Sequence, residues 1–196
     1  LTDRFIYMED DMLLGAPVTL EDFVDHAGRI RIRPRAGLTP AGSERDNPKL
    51  SPWNLCVAQA NHLLDQRFGR ARRPPVNHVP LMIDRAVWAD ILAEWPAAVR
   101  QTRQSRFRAA GGIALEYLYP HYALAMDRAT RGSLLNTYRD SQYFPLENCY
   151  SLNRFNAARA EWRRPRFLTM NDNFGARPDA RSVAYLRRAL LSWYPV

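Results

Sequence analysis

A chain of 196 residues is long enough for one sizeable core, and its 46% hydrophobic and 24% charged content excludes an intrinsically disordered segment. The formal net charge of +8 is carried almost wholly by arginine, since Lys49 is the only lysine, and guanidinium groups favour bidentate contact with phosphate or carboxylate. Cys56 and Cys149 are too few and too far apart for a disulfide scaffold or a zinc site. No apolar run is long enough to span a membrane, and the start lacks a signal-peptide layout, so a cytoplasmic protein is expected.

The chain opens on Leu1 and enters a strand almost at once, from which a missing N-terminal segment is expected. Phe5-Ile6-Tyr7-Met8 is a continuous apolar run, predicted as a short strand buried on both faces. Glu9, Asp10 and Asp11 follow at its end, and Gly15 and Pro17 turn the chain away. Consecutive like charges at the mouth of a buried strand repel one another unless a cation neutralises them. The crevice beyond the carboxyl ends of strands is where open α/β sheets bind ligands, and a divalent metal carrying phosphate oxygens fits that chemistry. Taken alone, however, Asp10-Asp11 reads first as a solvated acidic turn.

Thr19 is predicted to cap a short helix through Leu20-Glu21-Asp22-Phe23, closed by Gly28. Arg29-Ile30-Arg31-Ile32-Arg33 alternates with period two, as a half-buried strand does. Residues 34–49 are loop. An amphipathic helix follows with Leu55, Ala58, Leu63 and Phe68 near one face and Gly69 as its stop. A basic, proline-rich connector, residues 70–75, leads into Asn77 to Asp84. Asp84 caps a helix carrying Val87, Trp88, Ile91, Leu92 and Trp95, which Pro96 breaks.

Four arginines fall between Arg100 and Arg108. Past Gly111-Gly112 comes a helix rich in Leu115, Tyr117, Leu118, Tyr122 and Leu124, in which Pro120 is expected to kink or end the first half. Residues 129–150 show no clear period. Asn153 to Trp162 reads as a short helix, and Arg166 to Met170 as a strand delivering Asn171-Asp172-Asn173 at its end. Val183, Leu186, Leu190 and Trp193 mark a final amphipathic helix. Strands alternating with helices predict an α/β fold: a small central sheet with helices packed on both faces, in a single domain covering residues 1–196.

Singly, the polar motifs are weak. His78 suits a core histidine, Arg108 a surface arginine, and Asp172 a turn. The ordered set is more specific. Phe5-Ile6-Tyr7-Met8-Glu9-Asp10-Asp11-Met12-Leu13-Leu14-Gly15 resembles the F-x-Y-x-N-D-D-x-x-x-G block of the Stealth family of sugar-phosphate transferases. Asn61-His62-Leu63-Leu64, Arg67-Phe68-Gly69 and His78 to Arg85 resemble that family's next block, which continues through Ser105-Arg106-Phe107-Arg108 into Tyr117-Leu118-Tyr119. Phe167 to Asn173 resembles its last block, which ends on an Asn-Asp pair.

The resemblance implies transfer of a hexose-1-phosphate from a nucleotide sugar, such as UDP-N-acetylglucosamine, to a sugar hydroxyl in capsule or exopolysaccharide synthesis. Carried over by position, it implies catalytic roles for Asp11, His78, Arg108 and Asp172, with Asp10 supporting Asp11. Arg85, Asn171 and Asn173 are expected to contact substrate, and Asp11 with Asp172 to hold Mg²⁺ or Mn²⁺. Three departures stand out. Glu9 replaces the usual Asn, which makes the turn more acidic and is expected to alter metal binding. Leu81 stands where some members carry a second histidine. A first block of the D-x-V-Y-T-W-V kind has no counterpart.

Two other readings compete. The basic charge, with arginines near Phe107, Tyr117 and Tyr119, suits a nucleic-acid-binding module, but the strand-end carboxylates would repel phosphate. A metal-dependent glycosyltransferase would move the sugar without its phosphate. The expected partners are a nucleotide-sugar donor and a saccharide acceptor, with no nucleic acid and no membrane span; homo-oligomerisation stays open.

Overall fold

The computed structural model describes residues 2–195, and its strands and helices alternate as an α/β protein. The described residues gather into two compact units, one comprising residues 2–7, 20–77 and 81–137, the other residues 8–19, 78–80 and 138–195.

In the first unit, β1 (Arg4–Tyr7) pairs antiparallel with β4 (Leu81–Asp84), Phe5 opposite Ile83. β3 (Ile30–Ile32) runs parallel to β5 (Ala129–Arg131). It alternates as predicted, with Ile30 and Ile32 buried and Arg31 exposed. The helix expected from Thr19 is a single 3-10 turn, Leu20–Asp22, because Gly28 at φ 75° closes a tight turn back to the Asp25 carbonyl. α1 (Pro52–Phe68) starts with Ser51 accepting from the Asn54 amide and stops at Gly69, φ 82°. Asp84 caps α2 (Arg85–Glu94), and Pro96 opens α3 (Pro96–Gln104), where its missing N–H costs nothing.

α4 (Leu115–Ala125) runs through Pro120, so of the two outcomes expected of this proline, a kink or an end, the helix does not end there. Residues Tyr117 to Ala123 are all buried, so tertiary packing outweighs a helix-interior proline's cost of roughly 3 kcal/mol. Two tyrosines of α4 carry polar anchors. The Tyr119 hydroxyl accepts from the Asp84 amide at 2.8 Å, and burial pushes its pKa up to about 12. The Tyr117 hydroxyl donates to the Asn61 side-chain carbonyl at 3.2 Å, while the Asn61 amide donates to the Pro40 carbonyl at 2.7 Å. Asn61 is thus a buried tie for the 34–49 loop.

The second unit holds the three-stranded sheet. β2 (Met12–Leu14) lies antiparallel to β7 (Phe167–Asp172), which runs parallel to β6 (Ser141–Leu146), in the order β2-β7-β6. α5 (Leu134–Asp140), which the sequence left without a clear period, leads into β6. α6 (Tyr150–Arg163) makes the crossover from β6 to β7, and α7 (Ala180–Trp193) follows β7. Phe144, Leu168, Met170 and Phe174 pack with Ala157 and Ala160 of α6 and Leu186 of α7 in one cluster. Of the three strands predicted from the sequence, only β7 lies in this sheet; β1 and β3 form separate pairs with β4 and β5.

The apolar run at Phe5–Met8 corrects one expectation. Those four residues are 40–47% exposed, not buried on both faces. β1 pairs with β4 alone among the described residues, so its apolar composition reports a strand and not its covering. The buried strand is β7, central in its sheet, where Phe167 to Met170 are all buried and Leu168 and Met170 pack with Ala157 and Ala160 of α6 and Leu186 of α7.

Candidate active site

Three polar side chains converge within the second unit: Glu9, Asp11 and His78. Glu9 to Met12 form a four-residue turn, with the Met12 amide donating to the Glu9 carbonyl at 3.1 Å. The Met170 amide donates to the Asp11 carbonyl at 2.9 Å, so β7 holds the turn's backbone in place. Gly15 keeps β2 close behind it: its amide donates to the Arg166 carbonyl, and a Cβ there would collide with the Pro165 carbonyl oxygen. His78 is fixed from β7 as well, since the Thr169 hydroxyl donates to its carbonyl. Tyr143 of β6 meets the His78 ring edge-on, with centroids 6.4 Å apart.

His78 Nε2 lies 3.1 and 3.2 Å from the two Asp11 carboxylate oxygens and 3.8 Å from Glu9 Oε2. The side chains of His78, Glu9 and Asp11 are 28%, 22% and 17% exposed, open enough to meet a ligand and closed enough to weaken water screening. Two carboxylates facing one imidazole nitrogen create a demand for positive charge. Glu9 Oε1 adds to it, being buried with no hydrogen-bond partner in the structure, a state that costs free energy until a donor or cation meets it. The ligand atoms of the three residues lie within 4.8 Å of one another. Two carboxylates and an imidazole suit a divalent ion such as Mg²⁺ or Mn²⁺, so this donor set fits the expected metal.

The structure places the other expected residues as follows. Asp10 occupies the exposed corner of the turn. Asp172, at the end of β7, is exposed and accepts from the Phe174 amide at 2.9 Å; it lies outside the three-residue group. The Asn171 side chain donates to Asn173 at 2.9 Å, and the Asn173 amide donates to the Leu146 carbonyl, tying the ends of β7 and β6 together. Arg85 and Arg108 belong to the first unit. Arg85 is the first residue of α2, its amide donating to the Asp3 carbonyl. The Arg108 guanidinium sits 4.9 Å from the Trp53 ring centroid and 3.7 Å from Glu116.

Sequence reasoning marked Glu9 only as a departure that makes the turn more acidic and alters metal binding, and it passed over Thr169 and Tyr143. A signal existed for Thr169, the lone hydroxyl inside the apolar run Phe167 to Met170. Tyr143 gave none, because its partner is 65 residues away in the chain.

Comparison with known proteins matches one of the blocks by a family profile and most of the chain by whole relatives. Residues 77–125 match the family profile described as Stealth protein CR3, conserved region 3. An exopolysaccharide phosphotransferase of Streptomyces coelicolor is 32% identical over 139 residues, covering 70% of this chain and 25% of that protein. An exopolysaccharide phosphotransferase of Nocardia farcinica is 34% identical over 131 residues, 66% of this chain and 25% of its own length. The capsular polysaccharide phosphotransferase SacB of Neisseria meningitidis serogroup A is 29% identical over 135 residues, 68% of this chain and 24% of its own. The chain therefore spans about a quarter of the length of these relatives.

Proposed function

The chain belongs to the Stealth family, and on that premise we propose that it carries the catalytic core of a sugar-1-phosphate transferase of polysaccharide synthesis. Its donor is a nucleotide sugar of the UDP-N-acetylglucosamine type and its acceptor a saccharide hydroxyl. The observation that carries this reading is His78 Nε2 held against Asp11, with Glu9 beside it.

Such a transfer forms a bond from the acceptor oxygen to the phosphorus that bears the hexose. It breaks the bond from that phosphorus to the nucleoside monophosphate, which leaves. The acceptor proton needs a base. With Nε2–H donating to Asp11, the imidazole keeps its lone pair on Nδ1, and Nδ1 takes that proton. Asp11 fixes this tautomer and stabilises the imidazolium that results. The alternative use of Nε2, as a metal ligand, would put the ring proton on Nδ1 and remove His78 from base duty; we assign the first.

Mg²⁺ or Mn²⁺ bound here would neutralise diphosphate oxygens. Asp11 and Glu9 would hold it, while Asp172, expected as a ligand, lies outside that group and is assigned to substrate at the end of β7. Arg108 is assigned to a non-bridging phosphoryl oxygen, a bidentate task for which lysine is poorly shaped. Asp10 supports the turn, while Arg85, Asn171 and Asn173 are assigned to substrate.

Incubation with a panel of nucleotide sugars and saccharide acceptors tests the reading. Release of nucleoside monophosphate supports it. Release of nucleoside diphosphate instead would make the protein a transferase of sugar alone. Titration calorimetry with Mn²⁺ tests the role of His78: affinity unchanged in His78→Ala supports the base, and lost affinity makes His78 a ligand.

A further inference from the structure

A helix lying on a sheet ordinarily turns its large apolar residues inward and its polar ones to water. α6 does the reverse. Its inward positions are Asn153, Asn156, Ala157 and Ala160, while Phe155 is 63% exposed and Trp162 is 84% exposed. The inward polar residue is accommodated, since Asn153 bonds the Glu147 backbone through both its amide nitrogen and its carbonyl oxygen. Seven residues separate Phe155 from Trp162, so they share one face about 10 Å apart along the axis. Arg154 and Arg159, both exposed, stand on either side of that face.

The neighbouring helix continues the pattern. α7, packed against the same core cluster, exposes Val183 at 43% and Leu191 at 48%, eight residues apart, with Arg187 and Arg188 between them. The two helices together carry six arginines and a single acidic residue, Glu161. Most of the chain's net charge of +8 is therefore concentrated on this one pair of helices.

We propose that the outer face of α6 and α7 docks peripherally on an anionic phospholipid surface, with Phe155 and Trp162 entering the headgroup layer and the flanking arginines meeting lipid phosphate. The chemistry favours that occupant. Trp and Phe at the pole of a helix with arginines beside them is the composition of an interfacial helix, and the excess of positive charge complements an anionic leaflet. Both helices are already folded on the sheet, so docking requires no coupled folding. No described helix is long and apolar enough to cross a membrane, and the proposal needs none.

Co-sedimentation with vesicles of phosphatidylcholine containing phosphatidylglycerol, against phosphatidylcholine alone, tests this. Binding is expected only with the anionic lipid. It should fall at least tenfold in the double variant Phe155→Ser, Trp162→Ser, and roughly fivefold for each of Arg154→Gln and Arg159→Gln. Brominated lipid should quench the fluorescence of the wild type more than that of Trp162→Phe, a substitution that leaves packing untouched. The proposal is overturned by equal binding to both vesicles, by none, or by a double variant that binds like the wild type. It is equally overturned if the double variant converts a dimer to a monomer, which gives the face to a second copy. Retention of a soluble sulfated dextran that the double variant loses, with no vesicle binding, gives it to a polyanionic saccharide.

Discussion

β1 and β7 have the same layout in sequence, a short apolar strand delivering acidic residues at its end, and opposite environments in the structure. Phe5 to Met8 stand 40–47% exposed, while Phe167 to Met170 are 7% exposed or less. The acidic ends differ in the other direction. Glu9 and Asp11 after β1 gather with His78, whereas Asp172 after β7 is exposed and bonds its own chain two residues on. Composition therefore reports that a strand forms, and what packs on its faces decides whether it is buried: Leu168 and Met170 of β7 meet Ala157, Ala160 and Leu186 of the helices. Chemistry collects where a turn is held by other elements: here the Met170 amide and the Thr169 hydroxyl of β7 hold the Asp11 and His78 backbones. β7 serves as the frame, and the turn after β1 carries the candidate site.

The largest expected effects test that division. Asp11→Asn and His78→Ala should each lower sugar-phosphate transfer by about 10²–10⁴-fold in a product assay, with circular dichroism melting nearly unchanged. Arg108→Ala should fall in the same range. Retention of more than about a tenth of wild-type turnover would remove a residue from the catalytic set.

The frame should show its importance in stability instead. Phe167→Ala in β7 is expected to cost about 3–5 kcal/mol in urea denaturation, whereas Phe5→Ala in β1 should stay within about 1 kcal/mol. Comparable losses at the two positions would mean that β1 is covered in solution.

A smaller effect depends on pH. Burial is the main force pushing the pKa of His121 down to about 4 from 6.5, while its bond to the Pro74 carbonyl pulls the other way. Between those values the unfolded chain binds a proton that the folded chain refuses, so stability is full above the unfolded pKa and declines as pH falls toward 4. The loss should reach roughly 2–3 kcal/mol at the acid end, and the pH slope should flatten in His121→Leu.

The smallest effect concerns Glu9. Without added metal, Glu9→Gln should stabilise the protein by up to about 1 kcal/mol, by relieving repulsion from Asp11. With Mg²⁺ or Mn²⁺ present that gain should vanish if the replaced carboxylate is a ligand, as proposed. A gain that persists would take Glu9 out of the metal site.

Much of the chain was legible residue by residue. Asp84 as a cap, Gly69 as a stop, Pro96 as a break and the alternation of Ile30 and Ile32 are local signals, and the structure follows each of them. The rest was decided where distant parts of the chain outweighed local preference. α4 continues past Pro120 because its whole central stretch is buried, and the helix at Thr19 shrank to one turn as the chain folded back at Gly28. At the site, Asp11 and His78 stood out in their motifs. That Glu9 would join them and Asp172 would not follows from the paths of β2 and β7, which no spacing along the chain encodes.

By itself the sequence settled the family, the α/β alternation and which polar residues to suspect, because caps, turns, periodicity and ordered motifs are properties of short stretches. Only the tertiary structure decided which of those residues meet and which apolar runs are covered. Both depend on contacts between segments tens of residues apart, such as the 67 between Asp11 and His78, and on burial that a strand acquires only from its neighbours.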